Sequence, residues 1–113
     1  MTAGPFRIEL SPAAIQQVVD QADYYQLHSG PELAARWRIA VAESALSLHL
    51  MPDRGSLCQF IAASLHDIRR LPVPGFPQHA IFYRTLHEAR TVHIIDILHG
   101  ARDIEKLLAA RRP

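Results

Sequence analysis

The chain has 113 residues, 49% hydrophobic and 20% charged, with a formal net charge of +1 at neutral pH. A chain of this length is expected to form a single domain over residues 1–113 with one modest core, burying roughly 60–70% of its unfolded surface. The composition excludes disorder, and the longest apolar runs fall far short of the roughly 20 residues a membrane helix needs. Residues 1–10 hold Arg7 and Glu9 and no apolar stretch of signal length, so a cytoplasmic location is expected. Cys58 is the only cysteine, which excludes an internal disulfide and leaves it the role of a small buried hydrophobe or, less plainly, of a reactive thiol.

Phe6-Arg7-Ile8-Glu9-Leu10 alternates apolar and polar side chains, as a half-buried strand does. Ser11-Pro12 then suits a helix start: the serine hydroxyl can cap it, and proline costs nothing where its missing N–H is not needed. Ile15, Val18, Val19, Ala22 and Tyr25 follow at helical spacing, and the helix should stop near His28-Ser29-Gly30. Gly30-Pro31-Glu32 restarts a helix whose stripe is Ala34, Trp37, Val41, Ala45 and Leu48. So short a connection predicts an antiparallel helical hairpin.

Met51-Pro52-Asp53-Arg54-Gly55 breaks the second helix, and residues 56–64 carry no clear pattern. Ser64 to Pro72 reads as a strand, with Leu65, Asp67, Arg69 and Leu71 on one face and His66, Ile68 and Arg70 on the other. Residues 72–77, with three prolines and Gly75, must turn. Ala80 to Arg84 is a strand, His87 to Arg90 a hairpin loop, and Thr91 to Leu98 the most apolar strand, which places it centrally. Ile104, Leu107 and Leu108 give the tail one apolar stripe on a short helix. The expected fold is α+β: an N-terminal strand, an antiparallel helical hairpin, a three-stranded antiparallel meander and a short C-terminal helix, with the hairpin packed on one face of the sheet in two layers.

The charge is uneven. Residues 1–53 hold three arginines against six carboxylates, a net of −3; residues 54–113 hold nine basic and five acidic side chains, a net of +4. Eleven of the twelve basic residues are arginine, the side chain suited to bidentate contact with carboxylate or phosphate. The second half is therefore expected to present a positive face to an acidic partner, set against the plainer possibility of a scattered, solvated surface.

Seven histidines first suggest a metal, but no H-E-x-x-H or Cys/His array occurs. His93 and His99, on one face of an ideal strand, would stand about 20 Å apart at about 3.3 Å per residue, too far to share an ion. No G-x-S-x-G elbow and no G-x-G-x-x-G loop is present. Acid–base cleavage of RNA is the one enzymatic chemistry with candidates: Arg69, Arg70, Tyr83, Arg84, His99 and Arg102 could in principle activate a hydroxyl and offset phosphate charge. Tyr83 has a plainer role as a sheet residue with its hydroxyl at the core edge, and Arg84 should point to the opposite face.

Ile68-Arg69-Arg70-Leu71-Pro72-Val73-Pro74-Gly75-Phe76, then Ile81-Phe82-Tyr83-Arg84, and the closing Leu98-His99-Gly100-Ala101-Arg102-Asp103 together resemble a ParE-type toxin of the RelE/ParE toxin–antitoxin superfamily. The resemblance runs over nearly the whole chain, from the Ser11-Pro12 helix start through Pro52 and Gly55. RelE-like members of the superfamily cut mRNA on the ribosome with a basic residue just before the middle-strand segment and a late Tyr. Here Ala80 stands at the first place and Gly100-Ala101 follows His99, so the nuclease pattern is broken. ParE-like members inhibit DNA gyrase by trapping it on cleaved DNA, without catalysis of their own.

The resemblance therefore implies a gyrase-directed toxin, held in a hetero-oligomer by a ParD-like antitoxin whose amphipathic segment lies along the helical hairpin and the sheet edge. DNA would be met only through gyrase or the antitoxin, and no cofactor or metal is expected. Arg69, Arg70, Arg84, His99 and Arg102 are the expected contacts to target or antitoxin. The alternative is a ribosome-dependent mRNA endonuclease using His99 with Arg69 or Arg84.

Overall fold

A computed structural model of the chain describes residues 5–100 and 103–111. Strand β1 (Arg7–Leu10) leads into helices α1 (Pro12–Ser29) and α2 (Pro31–Ser47). A two-residue strand β2 (Ser56–Leu57) and a 3-10 turn (Ala63–Leu65) precede β3 (Arg69–Val73), β4 (Phe76–Leu86), β5 (Thr91–His99) and helix α3 (Ile104–Ala110). The five strands form one mixed sheet in the order β1-β5-β4-β3-β2, antiparallel except for the parallel pair β1–β5. This is the α+β architecture that the sequence predicts.

The hairpin starts and turns where its residues require. Ser11 caps α1 by accepting the Ala14 N–H at 3.0 Å, with Pro12 in the first turn. A single residue, Gly30, separates the helices. Its φ of +98° lies in the left-handed region that side chains rarely adopt, and its N–H closes α1 by donating to the Tyr25 carbonyl. All five stripe residues of α2 are buried, Ala34, Trp37 and Leu48 completely. Trp37, Val41, Ala45 and Leu48 pack with Leu71, Val73, Ile81, Tyr83, Val92, Ile94 and Ile97 of the sheet. Each large side chain so buried contributes about 1.5–3 kcal/mol of transfer free energy.

The other sheet face is also covered. Leu65, Ile68, Ala80, Phe82, Ile95, Leu98 and Leu108 form a second, smaller cluster, with Cys58 and Ile104 at its margin. Cys58 thus sits as a half-buried hydrophobe, and burial pushes its thiol pKa up. A smaller layer made by α3 and the 58–68 segment is added to the expected two.

Three sequence expectations are corrected. The strand expected from Ser64 begins only at Arg69, because residues 63–65 coil into a 3-10 turn; Leu65 therefore joins the same cluster as Ile68 and not the opposite one. The 72–77 segment turns more tightly than expected: Val73 pairs with Phe76, and Pro74-Gly75 alone make the loop, with Gly75 at φ +82°. Strand β5 is interior but second in order, and β4 is the middle strand.

A fourth departure sets the geometry of the whole sheet. The β4–β5 register jumps from Phe82↔Asp96 to Tyr83↔Ile94, so Ile95 is an extra, bulged residue. The carbonyls of Ile94 and Ile95 are engaged by the Ser11 N–H and hydroxyl, which fixes the start of α1 on the bulge. Because of it Ile94 and Ile97 both face the hairpin while Ile95 and Leu98 face α3. The bulge also separates His93 from His99, which an ideal strand would leave on one face: His93 borders the α3 side, and His99 stacks on His79, which itself packs on Trp37 of α2.

Candidate functional site

The predicted site residues divide into three groups. Arg69 and Tyr83 organise the loop after α2. The Tyr83 side chain is fully buried, its hydroxyl donating to the Pro52 carbonyl at 2.7 Å and accepting the Gly55 N–H at 2.8 Å. Burial raises its phenol pKa, so it stays a neutral donor. Arg69 Nη1 donates to the carbonyls of Gly55 at 2.7 Å and Asp53 at 3.2 Å, and its Nε lies 3.6 Å from the Asp53 carboxylate. Its guanidinium is thus committed to holding residues 52–55 against the sheet.

Arg84 is committed in the same way. Its Nε and Nη2 form a two-pronged pair with Asp67 at 2.8 and 3.0 Å, and Nη2 also donates to the Ser64 carbonyl at 2.7 Å. The hydrogen bonds from Arg84 hold the Asp67 carboxyl below its usual range. The pair ties the 3-10 segment to β4 on the α3 side of the sheet, opposite Tyr83, as expected from alternation.

Arg70 and His99 are exposed. Arg70 makes no salt bridge among the described residues. His99 Nε2 meets Gln78 Oε1 at 3.0 Å, and its ring lies 4.7 Å from that of His79. His99 therefore belongs to the hairpin side and Arg84 to the α3 side, with the sheet between them. Arg102 lies outside the described residues.

Several described arginines of the second half, where a positive face was expected, are engaged in contacts within the fold. Besides Arg69 and Arg84, Arg54 donates to Ser47 Oγ, Arg90 stacks 4.5 Å over the Phe6 ring, and Arg111 Nε pairs with Asp96 at 2.7 Å. Asp96 is completely buried; its other oxygen accepts the Ile97 N–H at 2.8 Å. Among the described residues no group of three or more His, Cys, Asp or Glu could hold a metal ion.

One unfilled concave surface is apolar and was only partly legible in the sequence. Two members of the α1 stripe, Ile15 and Val19, are 52% and 47% exposed, and Leu46 of α2 is 64% exposed. With Leu10 of β1 and Val18 and Val41 they line a groove of about 420 Å³ between the hairpin and the sheet edge, with Arg38 at its margin. Among the described residues strand β1 pairs with β5 alone, which leaves its outer ladder open beside the groove. The signal in the sequence was Leu46, an apolar residue off the buried stripe of α2.

Residues 8–104 match a family model described as the ParE toxin of the type II toxin–antitoxin system parDE. By sequence, no curated protein matches the chain. Among solved structures, the chain superposes on the chromosomal ParDE toxin–antitoxin system of Pseudomonas aeruginosa with a TM-score of 0.69 at 16% identity, covering 85% of this chain and 97% of that one. The RelBE2 toxin–antitoxin complex of Mycobacterium tuberculosis gives 0.61 at 20% identity, over 88% and 97%. A mutant of the Escherichia coli toxin RelE in the free state gives 0.59 at 10% identity, over 95% and 93%.

Proposed function

The chain belongs to the ParE toxin family of type II toxin–antitoxin systems, and from that membership we propose that it is a non-catalytic, gyrase-directed toxin neutralised by a ParD-like antitoxin. One observation carries the non-catalytic reading. The groups that RNA cleavage would have to combine are apart or engaged: His99 faces the hairpin side, Arg84 is clamped to Asp67 on the other face, and Arg69 is spent on the 52–55 loop. General acid–base cleavage needs its proton-transfer groups within hydrogen-bond reach of one substrate atom, with cationic groups free to meet the phosphate. Of the residues expected to contact target or antitoxin, Arg70 and His99 have the exposure to make such a contact.

The apolar groove is where the antitoxin docks in this reading. An amphipathic segment that folds on binding would bury Ile15, Val19 and Leu46, and could extend as a strand along the open ladder of β1. Arg38 at the groove's margin would meet a carboxylate of that segment.

The test is a gyrase cleavage assay. Purified chain is incubated with DNA gyrase, ATP and supercoiled plasmid, the protein is digested, and the DNA is resolved by size. Accumulation of linear plasmid, suppressed by the cognate antitoxin, is the expected outcome. Intact plasmid together with cleavage of ribosome-bound mRNA by the same preparation would replace this reading with the nuclease alternative.

A further inference from the structure

A second concave surface, away from the apolar groove, is built from different chemistry. Between the C-terminal half of α1 and the β3–β4 turn lies a cavity of about 540 Å³, walled by the rings of Tyr24, Tyr25, Phe76, His79 and His99. Gln21 and Gln78 add two carboxamides, and none of its described lining residues is Asp, Glu, Lys or Arg. The rings form a connected set: Tyr25 to Phe76 at 5.6 Å, Phe76 to Trp37 at 5.2 Å, Trp37 to His79 at 4.6 Å and His79 to His99 at 4.7 Å. His79 is only 6% exposed, and its Nε2 has no hydrogen-bond partner among the described residues. Leaving a buried polar atom of this kind unpaired is unfavourable, and the fold does so beside this cavity.

We propose that this cavity is a binding site for an uncharged planar nucleobase, presented by an unstacked nucleotide. The aromatic walls offer faces on which a base stacks. With the proton on His99 Nε2 shared with Gln78 Oε1, the Gln78 NH₂ and the His99 Nδ1 are left as a donor and an acceptor, the complement of a base edge. An aliphatic side chain of a protein partner would fill the volume but leave both carboxamides unanswered. The absence of charge in the walls admits a base and leaves its phosphate outside. The size lies within the range of about 300–1,000 Å³ usual for small-molecule sites. The site requires neither gyrase nor antitoxin and is tested on the chain alone.

Trp37 is the only tryptophan, and its contact with His79 and Phe76 makes it the reporter. The full chain, excited at the red edge of indole absorption, is titrated with the four nucleoside 5′-monophosphates, with mixed-sequence single-stranded DNA and RNA, and with a blunt duplex. A saturable change with nucleotides or single strands, at least tenfold weaker with duplex, is expected. Tyr24→Ala and Gln78→Ala, both at exposed positions and checked for folding by circular dichroism, should each weaken it at least fivefold. Mononucleotides binding as tightly as single strands would identify free nucleotide as the source, and binding by strands alone would identify a nucleic acid. No saturable change, duplex binding as tight as single strand, or full affinity in both variants overturns the proposal. So would a loss of antitoxin affinity in Tyr24→Ala without any nucleotide binding, which would make the cavity an anchor for a protein side chain.

Discussion

At the residue scale the structure rests on a few polar atoms at the sheet surface. The Tyr83 hydroxyl holds the 52–55 loop by two hydrogen bonds, and a Cβ on Gly55 would fall 2.7 Å from that hydroxyl and 2.9 Å from the Arg70 carbonyl. Tyr83→Phe should cost about 1–3 kcal/mol by leaving a buried N–H and C=O unanswered. Gly55→Ala should cost a similar amount by overpacking. Because both act on one contact, the double variant should cost less than the sum of the two, which urea unfolding of the four proteins measures. His79 gives a pH signature. Burial and the neighbouring His99 lower its pKa from 6.5 to about 4, so the folded state resists protonation while the unfolded state accepts it. Its contribution is complete above about pH 6.5 and is lost as pH falls towards 4, on the order of 3 kcal/mol in all. Stability measured across that window should fall, and His79→Phe should flatten the fall; an unchanged slope would refute the assignment.

At the element scale, α3 depends on the sheet. Seven residues are too few to hold a helix in water, so its stability must come from contacts. These are Leu108 in the second cluster, Glu105 Oε2 accepting the Ala62 N–H at 2.8 Å, and Arg111 on the buried Asp96. Removing Arg111 strands a fully buried carboxylate. Since the arginine side chain is itself about a third exposed, at 34%, Arg111→Ala should cost on the order of 1–3 kcal/mol, less than a fully buried pair. Amide exchange over 104–110 should quicken before that of β4 and β5. Adding Asp96→Asn to Arg111→Ala removes the stranded charge and should recover part of the loss. If exchange in α3 is unaltered by Arg111→Ala, the pair does not hold the helix. The Ile95 bulge is the other element-scale device: it seats α1 through Ser11 and turns the end of β5 so that His99 reaches the hairpin side.

Taken whole, the molecule has its two sheet faces covered unequally, and the apolar groove beside β1 is left open. In the family reading that opening is the antitoxin's, and the consequence is measurable. Val19→Asp and Leu46→Asp change exposed positions, so the free chain should keep its stability to within about 0.5 kcal/mol. Affinity for the cognate antitoxin should fall about 100-fold, since a buried carboxylate would face an apolar segment without a partner. Wild-type affinity in both variants would place the antitoxin elsewhere. Among the described residues no helix is long and apolar enough to cross a membrane.

The sequence by itself determined most of the elements and the family, though not the 3-10 turn at 63–65 or the short strand before it. Helical stripes, the Ser11-Pro12 start, the Gly30-Pro31 break and the closing strand are local patterns, and local sterics and hydrogen bonding are enough to produce them. The buried stripe of α2 and the opposed directions of Tyr83 and Arg84 follow from periodicity alone. Tertiary structure decided what periodicity could not. The bulge at Ile95 shifts the alternation of β5, so His93 and His99 part to opposite faces; no single residue in Ile94-Ile95-Asp96 marks it. The same holds for the arginines: their number is written in the chain, but whether a guanidinium meets Asp67, a loop carbonyl or solvent depends on strands brought together across the sheet. Exposure of Ile15 and Val19 was equally beyond a helical wheel, because a stripe states which side chains are apolar and only packing decides which of them the fold has area to cover.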